Sequence, residues 1–301
     1  MDTLLRAINQ PETIRVVAAT TTEAVREACR RQQVTGVAAM VIGRALTSGA
    51  LLATLAKGER ERVRIQLRGG GPVGQVVIDA HGDGRVRACL SNPSGDAQQV
   101  RRLTGAGVRP STALAVGIRG HVVVTRDLGL ATPYQGSVEL RSGEIDEDLE
   151  HYLDQSEQLP SALRTEVVLD SHGEILRAAG ILAQSFPDSD PSLIMAVRER
   201  LAGAGLRTLI SAHERSVEEL VGLALGGENF RSMLEHPIKF HCPCGPERAL
   251  GVLSTLGAAD LEALATEQEQ TEVRCNFCGD AVAVSAAEVR ELAAQLRRVQ
   301  S

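Results

Sequence analysis

The chain has 301 residues, more than a typical single domain needs. Hydrophobic residues make up 43%, yet aromatics are only 2% and Trp is absent, so Val, Leu, Ile and Ala must fill the core. The net charge of −6 argues against nucleic acid as the main partner, because phosphate binding rewards clustered Lys and Arg.

The N-terminus, MDTLLRAINQPETIRVV, has no basic segment leading into an apolar run, so no signal peptide is expected. The protein is therefore expected in the cytoplasm, where thiols stay reduced. Six cysteines in that setting suggest metal or redox chemistry over a disulfide framework. The first twenty residues read only as a short leading segment.

Thr21 to Arg31 and Gly36 to Lys57 read as helices, the first capped by Thr21 or Thr22. The apolar stretch from Val34 to Leu55 is broken by Arg44, Thr47, Ser48 and glycines, so it reads as a buried helix and not a membrane span. From Arg62 the period becomes two, with Val63, Ile65 and Leu67 alternating with polar residues. Val77 to Ala80 and Arg85 to Leu90 flank HGDG as a hairpin. Thr112 to Ile118 and His121 to Thr125 read as a second hairpin about Arg119-Gly120, and Gly136 to Arg141 as another strand. Glu144 to Gln158 is helical, with Ile145, Leu149, Tyr152 and Leu153 on one face. Ala162 to Leu169 and Ile175 to Gln184 flank DSHGE as a last hairpin. Residues 1–185 thus form an α+β core domain dominated by antiparallel strands.

Residues 186–236 read as a helical linker that folds conditionally. Leu193 to Leu201, Leu206 to Ser211 and Val217 to Leu225 are amphipathic, and Ser216 with Glu219 forms a capping box. Helices shorter than about 12–15 residues are marginal alone, so this layer must borrow stability from a surface it packs on.

Residues 237–301 hold the densest chemistry. FHCPCG places Cys242 and Cys244 one residue apart, and VRCNFCGD supplies Cys275 and Cys278. Four thiolates in two close pairs suit tetrahedral zinc. Gly279 resembles the glycine of a zinc knuckle, and Ala258 to Thr266 between the pairs reads as a helix. With few aromatics the block has little core, so metal is expected to supply much of its folding energy. A four-cysteine site is closed, which disfavours Lewis-acid catalysis. From Lys239 to Asp280 there are three basic and seven acidic residues, which disfavours phosphate. A third use lies in the sulfurs themselves: oxidation would remove the ligands and, with them, the metal's contribution to folding.

These residues carry a resemblance to the heat shock protein 33 family. Beyond the cysteines, TPYQGSVELRSGEIDEDLEHYLDQSEQLPSAL, GRALTSGALLATLAKGE, GGGPVGQVVIDAHGDGRVRACLSNP and VVVTRDLG resemble it in the same order, over nearly the whole chain. The resemblance implies an ATP-independent holdase, inactive when reduced and zinc-bound with one zinc per chain. It implies that oxidants such as hypochlorous acid form Cys242–Cys244 and Cys275–Cys278 disulfides, that zinc is released and the linker unfolds, and that the exposed apolar surface captures unfolding client proteins. It also implies a homodimer when oxidised. In one departure, the family usually has an aromatic residue after the second cysteine pair where this chain has AVAV, Ala281 to Val284. This zinc domain is therefore expected to lean more on metal.

Other motifs read as structure. Gly69 to Gly74 fits G-x-G-x-x-G, but a strand follows where a dinucleotide site needs a helix. Asp79, His81 and Asp83 belong to a hairpin turn, Tyr152 and Glu157 to a helix with one apolar face, and Cys29 and Cys89 to buried positions. No nucleophile–base pair is present, so an enzyme is not expected. The alternative function is a constitutive zinc-stabilised adaptor without a switch.

Overall fold

The computed structural model describes residues 1–54, 61–95, 109–129, 132–187, 189–202, 205–212 and 215–300. Contacts divide the chain into two compact units, Met1–His241 and Cys242–Ser301.

The first unit is a mixed α+β body. It begins with a hairpin of β1 (Thr3–Asn9) and β2 (Ile14–Thr20), then α1 (Thr22–Gln32) and α2 (Gly36–Ala53). Strands β3 (Arg62–Arg68), β4 (Val76–His81) and β5 (Arg85–Leu90) follow, then a single turn α3 (Ala113–Val116), β6 (His121–Asp127) and β7 (Tyr134–Glu139). Next come α4 (Ile145–Ser156) and the hairpin β8 (Ser161–Leu169) and β9 (Ile175–Ser185). Helices α5 (Pro191–Ala202), α6 (Gly205–Ala212) and α7 (Val217–Leu225) lead to β10 (Phe230–Pro237) and β11 (Lys239–Phe240). A five-stranded antiparallel sheet has the order β10-β1-β2-β9-β8 and a six-stranded sheet the order β11-β5-β4-β3-β6-β7, with only β11 parallel to its neighbour.

Helix α2 lies between the two sheets, and two glycines set its approach. A Cβ at Gly43 would sit 2.6 Å from Val167 Cγ2 on β8, and one at Gly49 would sit 2.4 Å from Ile78 Cγ2 on β4. Met40, Ile42, Leu46, Leu51 and Leu52 are buried around it. The helix is long and apolar enough to cross a membrane, but most of it lies inside this core.

The five-stranded sheet is apolar on both faces. Leu4, Val17, Ala19 and Leu182 join α2, while Leu5, Val16, Ala18 and Ile181 join a second cluster under α5, α6 and α7. Strands buried on both faces read as continuous apolar runs without alternation. That is why β1 and β2 were not legible as strands.

Three other expectations are corrected. Thr112 to Ile118 is no strand: Ala113–Val116 make a helical turn whose carbonyls accept the Gly71 and Val73 N–H groups of the glycine-rich loop. A Cβ at Gly69 or Gly71 would fall within 2.4 Å of that backbone, so these glycines serve close packing. The helical stretch ends at Leu225, and residues 230–237 form β10 against β1. The side chain of Thr21 does not cap α1; it meets Thr47 Oγ1 at 2.6 Å, and the buried Asp2 carboxylate accepts the Ala24 N–H instead. The expected end of α2 at Lys57 lies outside the described residues.

The second unit contains α8 (Pro246–Leu253), α9 (Ala258–Glu267), a hairpin of β12 (Gln270–Arg274) and β13 (Ala281–Ser285), and α10 (Ala286–Gln300). Its core is Ala249, Leu253, Leu261, Ala265, Val284, Val289 and Ala293. Val284, from the AVAV segment, is the buried strand residue of that small cluster.

Candidate metal centre

The two cysteine pairs are delivered by turns. Cys244 N–H bonds to Cys242 O at 2.9 Å, and Gly245 with Pro246 then starts α8. Cys275 and Cys278 sit in the connection of the β12–β13 hairpin. There Gly279, at φ +72°, sends its N–H to Cys275 O, and Cys275 N–H bonds to Asp280 O, both at 2.9 Å. A side chain at Gly279 would meet the left-handed penalty, so the glycine is conformational.

These turns bring the four sulfurs within 4.8 Å of one another. Cys242 and Cys244 Sγ are 3.2 Å apart, Cys242 and Cys275 3.7 Å, and Cys244 and Cys278 3.5 Å. Sulfurs at about 2.3 Å from a tetrahedral ion would lie about 3.8 Å apart. Cys278 is buried and the other three are half-buried. His241 is outside the group; its N–H bonds to Val86 O.

The electrostatics show what such crowding asks for. Burial opposes ionisation of Cys275, but hydrogen bonds from Cys244 and from the Cys278 and Phe277 N–H groups outweigh it and hold the thiol near 7. Burial pushes Cys278 up to about 12, and burial with its thiol neighbours pushes Cys244 up further. One thiolate is stabilised at the expense of its neighbours, so several can coexist only around a cation. The four-cysteine set therefore fits a metal ion. Burial likewise pushes Cys29 up to about 12, but Cys29 lies outside the four-sulfur group and its thiol donates to the Ala39 carbonyl, so it reads as an inert thiol.

The other motifs fall where structure explains them. Asp79 accepts bonds from Arg64 and Arg87 on neighbouring strands, and Asp83 from Arg85 across its turn. The buried Tyr152 donates to Glu157, which also pairs with Arg126.

A second surface, the linker helices and the sheet they cover, follows from the sequence without its residues, which the structure supplies. Under α5, α6 and α7 the sheet presents Leu5, Val16 and Ile181 among Ala7, Ala18, Ala162, Ala179 and Ala183. The helices contribute the larger residues, including Ile194, Leu206, Ile210, Leu220 and Val221. Arginines fasten the rim. Arg198 pairs with Glu150 and Asp154, Arg207 with Glu166, and Arg164 and Arg177 donate to the Ala202 and Ser211 carbonyls. The signal available in sequence was the pair of largely apolar stretches 4–8 and 14–19, each interrupted by one arginine, Arg6 and Arg15.

Two compact α+β and cysteine-bearing units define a chaperone class once compared with known proteins. The family model described as Hsp33 protein matches residues 2–285. The 33 kDa chaperonin of Syntrophotalea carbinolica is 35% identical over 298 residues, covering 97% of this chain and 99% of that one. That of Shouchella clausii is 31% identical over 291 residues, with 97% of each chain covered. The crystal structure of the 33 kDa chaperonin from Thermotoga maritima superposes with a TM-score of 0.81 at 27% identity over 99% of each chain. The chain belongs to the Hsp33 family.

Proposed function

We propose that this protein is a redox-regulated, ATP-independent holdase acting in the cytoplasm on unfolding client proteins, and not an enzyme. The observation that carries the reading is the pairing of a four-thiol cluster with a helical layer, just before it in the chain, that covers an apolar sheet. The metal is zinc, held by Cys242, Cys244, Cys275 and Cys278. When bound, it holds the sulfurs as thiolates and supplies folding energy to a unit with a small aliphatic core. Oxidation joins Cys242 to Cys244 and Cys275 to Cys278. In each pair two thiolates lose two electrons; hypochlorous acid accepts them with a proton and leaves as chloride and water. The ligand set is then lost and the second unit loses its closure.

The domain assignment proposed on the same logic is a core of residues 1–185, a conditionally folded linker of residues 186–236 and a switch domain of residues 237–301, of which residues 237–241 pack with the first unit. Unfolding of the linker uncovers an alanine-rich sheet face and frees the larger side chains of α5 to α7. Such surfaces are smooth and adaptable, which suits varied unfolded clients. The oxidised form is proposed to be a homodimer.

The test follows metal and client together. Hypochlorite is added to the reduced protein while zinc release and the aggregation of a chemically unfolded client are recorded. Protection that appears only with zinc release, and disappears on thiol reduction, supports the switch. Equal protection before and after oxidation supports a constitutive zinc-stabilised adaptor.

A further inference from the structure

The segment between the helical layer and the first cysteine is fastened to the first unit in an unusual way. Ile238 is buried between the sheets and its N–H bonds to Asp2 O at 3.0 Å. Lys239 N–H bonds to Gly84 O at 3.0 Å, and His241 N–H to Val86 O at 3.1 Å. The Phe240 ring packs on the principal core, with the Arg31 guanidinium 5.8 Å from its centroid. The HGDG turn is shaped for this segment. Gly84 has φ +85°, and a Cβ there would lie 2.1 Å from Pro237 O. The next residue in the chain is Cys242.

The strand before this peg is held by its ladder with β1, by Phe230 against the second apolar cluster and by an exposed Arg231–Glu12 ion pair. β10 is the edge of its sheet, and residues Arg231 to Glu235 are all exposed. Its register against β1 slips at Met233, between Arg6 and Ala7, which interrupts the ladder. A strand that buries almost no side chain depends on its ladder and on its tied ends. Its upstream end continues through Asn229, whose carbonyl accepts Gln10 N–H at 3.2 Å, into α7.

We infer that residues Ile238–His241, seated on Gly84 and Val86, are the coupling peg between the cysteine centre and the helical layer, and that unseating them is enough to release β10 and then α7 with the metal still bound. The peg closes the stretch from Ser185 to Ile238 into a loop pinned at both ends. Freeing one end restores chain entropy to the open state and lets the layer fray from its C-terminal side. The cysteine centre then acts on the helices by pulling on a segment one residue away. This inference rests on the linker reading above, but its test does not use oxidation.

The experiment is hydrogen exchange on the full-length, reduced, zinc-loaded protein, with bound zinc assayed in parallel. The variants are Gly84→Ala, Phe240→Ala and the milder Phe240→Leu. The inference expects β10 and α7 amides to exchange at least about tenfold faster, about 1.4 kcal/mol of lost protection. The effect should diminish from β10 to α7 to α5, be weakest in Phe240→Leu, and leave zinc content and α2 protection as in the parent chain. Unchanged exchange in β10 and α7 overturns it, as does acceleration seen only in molecules that have lost zinc. If α2 also loses protection in the alanine variants, Phe240→Leu alone decides by the same two criteria. Freed α7 in these variants, with no client protection by oxidised parent protein, would uphold the peg and refute the redox holdase.

Discussion

One sheet carries two very different helical layers. On one face of the five-stranded sheet lies α2, an 18-residue helix enclosed by a second sheet, with even Arg44 fully buried. On the other lie α5, α6 and α7, of 12, 8 and 9 residues, each buried along one stripe. The first layer is surrounded by residues that depend on it. The second covers the sheet from one side only and, on the function proposed above, is released while α2 stays folded. Both faces are apolar, so apolarity alone does not distinguish permanent core from removable cover. What distinguishes them is how many sides are buried and whether the helix can stand alone.

The largest test of that contrast removes the metal. Chelation of the reduced protein should withdraw about 10–16 kcal/mol of metal-linked folding energy from the second unit. Circular dichroism and exchange should show α8, α9 and α10 losing protection while α2 keeps it. Protection of α9 and α10 that survives chelation would mean the aliphatic cluster around Leu261 and Val289 suffices, and the expected reliance on metal after the loss of an aromatic would be wrong.

Within the permanent core, Asp79→Asn should cost about 3–5 kcal/mol, since it leaves the buried Arg87 and neighbouring Arg64 without their carboxylate. Burial alone would raise the Asp79 carboxyl, but the bonds from Arg64 and Arg87 hold it down at about 2. The unfolded value is about 3.9, so this stabilisation is complete above that pH and is lost as pH falls toward 2. Acid titration of the unfolding free energy should show the decline in the parent protein and flatten in the variant.

A matched pair of cavity mutations separates the layers. Leu46→Ala in α2 should lower global stability by about 2–5 kcal/mol, read in denaturant melts. Leu220→Ala in α7 deletes an equally buried side chain, yet its effect should appear as faster local exchange in α5 to α7, with a smaller change in the global melt. Equal global losses would make the cover part of the core. The smallest effect is expected from Ser216→Ala, which breaks a capping box formed with Glu219 and should cost about 1 kcal/mol, confined to α7 exchange.

The cysteine centre was legible because its chemistry is local. Two short spacings with flanking Pro and Gly specify turns, and turns bring Cys242 to Cys244 and Cys275 to Cys278 without knowledge of the rest. The capping box at Ser216 and the apolar face of α4 were legible for the same reason: side-chain periodicity and local hydrogen bonds are written along one segment. Thr112 to Ile118 misled because Ala, Leu and Val suit either strand or turn, and the glycine-rich loop that selects the turn lies over forty residues upstream.

The sequence by itself determined the hairpins of β4 with β5 and β8 with β9, the amphipathic linker helices and the four-thiol cluster, each a matter of short-range pattern and composition. Only the tertiary structure decided that residues 4–8 and 14–19 are strands buried on both faces. It alone placed α2 between two sheets, gave Asp2 the capping of α1, and seated Phe240 beside the HGDG turn. Those features arise from pairings between distant segments, where the partner, and not the local propensity, selects the conformation.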